Sequence, residues 1–172
     1  NASAGIQETS QGFTPLHVAC TNGNLVCAAR LSDGGADINA KDNKGETVLD
    51  KACAKGQTEL VQFLLDKKAD VKCTDNLGWT PLHTASLNGY ADVVLVLLHN
   101  GAEVDATDKT AWTPLHKASI KGHEEVALAL LQNGAQVDAK EEDDWTPLQL
   151  ACQEGHERMA QILLDAGADP NA

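Results

Sequence analysis

A four-residue phrase, Thr-Pro-Leu-His, stands at Thr14–His17, Thr80–His83 and Thr113–His116, and altered copies stand at Thr47-Val48-Leu49-Asp50 and Thr146-Pro147-Leu148-Gln149. Every step between neighbouring copies is 33 residues, without an insertion. The registers are 8–40, 41–73, 74–106, 107–139 and 140–172, after a short leader, 1–7. A fixed period of this length constrains the fold strongly. Each unit is too small to bury its own apolar face, so neighbouring units must stack and share one continuous core.

Each unit follows the same physical logic. The Thr suits a helix N-cap, where its hydroxyl accepts an otherwise unpaired backbone N–H. Proline follows at the first helical position, where its missing N–H costs nothing. The short helix ends at Gly23, Gly56, Gly89, Gly122 or Gly155, residues suited to a left-handed helix end. A second helix carries apolar residues at helical spacing, as in Leu60, Val61, Phe63, Leu64 and Leu65. It stops at Gly35, Gly101, Gly134 and Gly167, with Lys68 in that slot in the second unit. A polar hairpin rich in Asp and Asn then leads to the next unit.

Composition agrees with closely packed helices. Apolar residues make up 42% of the chain and aromatics only 3%, so the core must be built from Leu, Val and Ala. The formal net charge of −12 repels phosphate backbones and argues against a general nucleic-acid or anionic-membrane role. Five cysteines, none spaced as CxxC, point to a reducing compartment and an intracellular (cytoplasmic or nuclear) location. Residues Asn1 to Glu8 lack the basic and apolar regions of a signal peptide, and Asn1-Ala-Ser3 matches a glycosylation acceptor too short to carry weight.

The TPLHxA phrase, the mid-unit Gly-His at Gly122-His123 and Gly155-His156, the LLxxGA stretch and the closing xVNA together resemble the ankyrin repeat across residues 8–172. The resemblance implies an all-α solenoid of stacked helix-turn-helix units with projecting β-hairpin loops. It also implies a non-catalytic module that binds another protein through hairpin tips and the concave face of the first helices. The ends differ. Arg30 and Ser32 stand where later units have Phe63/Leu65 or Val96/Leu98, which suits an N-terminal cap. The last unit keeps the interior pattern, so further repeats or another domain are expected beyond it. A monomer is expected.

Residues that invite chemistry have structural readings. His17, His83 and His116 share one slot and His123 and His156 another, but helices packed roughly 8–10 Å apart cannot bring equivalent histidines onto one zinc. His123-Glu124 and His156-Glu157 begin like a metalloprotease helix, yet Ala127 and Ala160 stand where its second His belongs. Cys20, Cys53 and Cys152 share a slot with Ser86 and Ser119 and are expected to be small buried fillers. No catalytic residue, metal or cofactor is expected. Asn39 closes a run similar to the sequence that asparaginyl hydroxylases modify in ankyrin hairpins, against the simpler reading of a turn residue.

The column just before the capping Thr reads Phe13, Glu46, Trp79, Trp112 and Trp145, and so collects all three tryptophans of the chain. With Leu77 on a hairpin and Leu87-Asn88 and Ile120-Lys121 at helix ends, it suggests an apolar contact strip through the third and fourth units. Lys140-Glu141-Glu142-Asp143-Asp144 places four acids beside Trp145, and the last unit carries eight acidic residues against two basic ones. A partner with apolar and basic elements fits this pattern. Two other readings are a planar ligand or nucleotide on the tryptophan row, with Lys109, Lys117 and Lys121 as the phosphate candidates, and a spacer that binds nothing.

Overall fold

A computed structural model describes residues 11–172; the leader, the start of the first repeat and Asn1-Ala-Ser3 lie outside the described residues. Ten helices follow one another in five pairs: α1 (Pro15–Thr21) and α2 (Leu25–Asp33), α3 (Val48–Cys53) and α4 (Thr58–Asp66), α5 (Pro81–Asn88) and α6 (Ala91–His99), α7 (Pro114–Lys121) and α8 (Glu124–Gln132), α9 (Pro147–Gln153) and α10 (Glu157–Asp165). The first helices pack in the order α1, α3, α5, α7, α9, and the second helices from α4 to α10 form a parallel outer layer.

Local chemistry sets the helix boundaries. Thr14, Thr47, Thr80, Thr113 and Thr146 are extended N-caps, and each hydroxyl accepts the backbone N–H three residues on. The third residue of each helix reaches back to the cap N–H and closes a reciprocal capping box. The slot after the second helix demands a left-handed backbone so firmly that Lys68 adopts φ 70° there, beside Gly101 at 89°.

Burial follows the period. Leu49, Leu82 and Leu115 form one fully enclosed row, and Leu64, Leu97, Leu130 and Leu163 form another. Each enclosed leucine contributes about 2 kcal/mol of transfer free energy. The extensive helix contacts all lie within a repeat or between adjacent repeats, so the core is a ladder and not a globule.

One expectation gains detail and another needs correction. The loops between repeats are hairpin-shaped turns with almost no strand pairing. Among the described residues the β contact is one isolated antiparallel bridge, Lys41 to Thr47. Their arms are short, and each turn is closed by a main-chain bond, such as Asp75 N–H to the Trp79 carbonyl at 3.0 Å, with a side-chain carboxylate added. Cys152 is exposed, unlike buried Cys20 and Cys53, because among the described residues α9 packs on an inner helix, α7, on one side only. Ser86 and Ser119 do fill the buried slot, with hydroxyls that find no hydrogen-bond partner among the described residues. Among the described residues no helix is long and apolar enough to cross a membrane.

Candidate functional site

One acidic residue shapes each hairpin. Asp75 Oδ1 accepts the N–H groups of Leu77 and Trp79, both at 2.8 Å. Asp42, Asp108 and Glu141 do the same for the residues two and four places on. This double acceptance curls the chain tightly into the residue before the capping Thr. It also gives Glu141 a structural task. Of the acids beside Trp145, Glu142, Asp143 and Asp144 are the exposed ones.

The histidines tie this column into the next repeat. In repeats one, three and four, His17, His83 and His116 take a hydrogen bond from the capping Thr at Nδ1. Each donates from Nε2 to a main-chain carbonyl one repeat on: Glu46 at 3.2 Å, Trp112 at 2.9 Å and Trp145 at 3.1 Å. Burial outweighs the favourable carbonyl contact and pushes all three imidazoles below their ordinary pKa, so they act as neutral relays. On the outer layer, His123 and His156 donate to the carbonyls of Leu87 and Ile120 at 3.0 and 3.2 Å. The bond across the repeat boundary was not legible in any one repeat, although the shared slot was its signal.

Lys117 is the residue the sequence reading misplaced. It is only 7% exposed, and its ammonium sits between two indoles, 4.3 Å from the Trp79 ring centroid and 4.4 Å from that of Trp112. Its Nζ donates to Asp108 Oδ2 at 2.8 Å. Burial lowers its pKa against the pull of Asp108, while the ammonium and the Thr110 N–H and hydroxyl hold the Asp108 carboxyl down despite its desolvation. A lysine so committed is not offered to a ligand phosphate. Lys51 occupies the same slot two repeats earlier, paired with Asp42 at 2.8 Å and with Glu46, its ammonium 5.0 Å from the Phe13 centroid. That recurrence, Lys51 and Lys117 at matching positions, was the signal in the sequence.

The candidate strip therefore divides. Trp79 and Trp112 are half-buried and joined through Lys117. Leu77 is 62% exposed on the hairpin tip, and Trp145 is 39% exposed, with no cation over its ring among the described residues. Leu77 and Trp79, with Asn43, Lys44, Glu46, Asp75 and Asn76, line an open cleft of about 440 Å³ between the second and third hairpins. Leu87 and Ile120 are half-buried, and Asn88 and Lys121 are exposed. They stand at the far ends of α5 and α7, about 12 Å along the helix axis from the tryptophans. Asn39 is exposed, with its Oδ1 accepting the Asp70 N–H at 2.8 Å, which splices one hairpin to the next. Among the described residues no group of three or more His, Cys, Asp or Glu is placed to hold a metal ion.

Helix pairs stacked at a constant period, with buried histidines bonded from one repeat to the next, define a solenoid repeat protein. A family model for ankyrin repeats, three copies long, matches residues 1–75, 27–108 and 98–172. The chain belongs to the ankyrin-repeat family, whose members are generally protein–protein interaction modules. No curated protein matches it.

Proposed function

We propose that this chain is a protein-binding module whose contact surface is the row of hairpins and the concave column behind them, centred on Leu77 and Trp79. The observation that carries this reading is Leu77, a large apolar side chain 62% exposed at the mouth of a cleft it shares with Trp79. An apolar partner side chain seated there removes both residues from water, and buried aromatic anchors dominate interface energetics. The acidic tips, from Asp75 through Glu142, Asp143 and Asp144, favour a partner with basic residues flanking that anchor. Trp145 extends the surface toward the last repeat. A reducing compartment, cytoplasmic or nuclear, fits the buried free thiols of Cys20, Cys53 and Cys73.

Leu77→Asp tests the assignment, because Leu77 is exposed and its replacement leaves the Trp79–Lys117–Trp112 stack intact. In quantitative co-precipitation, proteins bound by the unaltered chain should be lost by at least tenfold, about 1.4 kcal/mol. Val26→Asp, at an equally exposed apolar site on α2, should retain them. Retention by both variants would remove the cleft from the interface and leave the spacer reading standing. Partner binding should also weaken as ionic strength rises, by screening of the acidic tips.

A further inference from the structure

Four junctions join the five repeats, and three of them carry a matched pair of cross-repeat bonds, one in each helix layer. Between repeats one and two, His17 bonds the Glu46 carbonyl, and the Gln57 amide, turned so that its nitrogen faces the Cys20 carbonyl, donates across 2.7 Å. Between three and four the pair is His83 to Trp112 and His123 to Leu87. Between four and five it is His116 to Trp145 and His156 to Ile120. The junction of repeats two and three has neither.

The reason lies in two residues. Asp50 occupies the histidine slot, but its shorter side chain folds back on its own cap. Oδ2 accepts the Thr47 N–H and hydroxyl, each at 2.8 Å, and faces the Cys73 thiol at 3.8 Å. The Trp79 carbonyl, which the missing histidine would reach, accepts the Asp75 N–H within its own hairpin. In the outer layer Tyr90 stands where Gln57, His123 and His156 bond, and its ring lies against Gly56, where a Cβ would meet it at 2.5 Å. α3 is also the shortest inner helix and begins with Val48 in place of proline. The hairpins remain tied here, by Lys41 Nζ to the Thr74 carbonyl at 2.7 Å and by the Asn76 N–H to the Lys44 carbonyl at 2.9 Å.

We propose that this junction is the hinge of the solenoid: the first two repeats pivot about the hairpin tips against the other three, and Asp50 sets how firmly the joint is held. The cleft lined by Glu46, Leu77 and Trp79 spans this joint, so the pivot changes the tilt of one wall against the other. Use of that motion by a partner rests on the binding surface proposed above; the hinge itself does not. Asp50 is 2% exposed, and desolvation pushes its carboxyl up to about 6 against the Thr47 hydrogen bonds. Glu46 and Asp75 on the flanking hairpins add to the rise, and Asp50 in turn acts on the Cys53 and Cys73 thiols. The neighbouring histidines of α1 and α5 are engaged elsewhere, with Glu46 and Trp112. A carboxyl raised in this way favours the packed joint when protonated and strains it when charged. The joint is therefore tighter at pH 5 than at pH 7.

Backbone hydrogen exchange on the free chain, normalised to intrinsic rates, reads the hinge without any partner. At pH 7 the α3 and α4 amides should exchange at least tenfold faster than those of α5 and α6, and the gap should narrow at pH 5. Asp50→His, which restores a donor toward the Trp79 carbonyl, should close most of the gap at pH 7. Asp50→Asn, of the same shape but without a titrating proton, should abolish its pH dependence and serves as the deciding variant if the histidine form folds poorly. Equal exchange in the two helix pairs at pH 7, or an unaltered pH dependence in Asp50→Asn, overturns the proposal. Failure of Leu77→Asp to reduce partner capture would leave this result untouched.

Discussion

A single backbone angle shows how the repeat disciplines its residues. Lys68 sits at φ 70° in the slot that glycine holds in every other repeat. A side chain in the left-handed region costs roughly 1 kcal/mol or more, and this slot is open, since a Cβ at Gly101 or Gly134 meets nothing within 4 Å. The cost is therefore conformational and not steric. Lys68→Gly should stabilise the chain by about 1 kcal/mol in a denaturant titration, set against the greater flexibility of glycine in the unfolded state. An unchanged midpoint would mean that the two effects cancel. This slot was legible from the sequence, because four glycines define it and Lys68 is its exception. The function of Lys117 was not: a lysine among scattered charges looks available until the rings on either side of it are placed.

At the scale of elements, the hairpin of repeat four and helix α7 act as one unit through Lys117. Its partners, Asp108 and the rings of Trp112 and Trp79, come from two hairpins. Removing the cation alone strands a nearly enclosed carboxylate, so Lys117→Met should cost about 3 kcal/mol. Adding Asp108→Asn should recover a good part of that loss, because the amide oxygen still accepts the Thr110 and Trp112 N–H groups while the charge is gone. Additive losses in the double variant would show that the two residues are not coupled. The same unit explains why the tryptophan column is only partly a contact strip. Its period in the sequence identified where the rings attach, whereas the half-buried state of Trp79 and Trp112 comes with a lysine from the repeat of Trp112, which is the repeat after that of Trp79.

Across the whole molecule, buried titrating groups pull in opposite directions. His17, His83 and His116 are neutral relays with folded pKa values below the ordinary 6.5. Their contribution is fully present above pH 6.5 and is lost as pH falls through the lowered values, at about 1.4 kcal/mol per unit of displacement for each histidine. Asp50 has the other sign: its contribution is fully present below the usual 3.8 and is lost as pH rises through about 6. With the Asp50 contribution removed in Asp50→Asn, the melting temperature should fall between pH 7 and pH 5 as the histidine contribution is lost. A melting temperature that rises over that range would contradict the neutral-relay assignment.

The period, the threonine caps, the left-handed turns and the buried leucine rows follow from the sequence alone, because each is decided by neighbours within a few residues or by a slot repeated every 33. Only the tertiary structure decided which polar groups meet across a repeat boundary: histidine with a carbonyl 29 residues on, Lys117 with the Trp79 indole, and Asp50 bonded, among the described residues, within its own repeat. Such contacts depend on distances set by stacking. Two repeats with nearly the same local pattern can thus form a firm joint or a loose one.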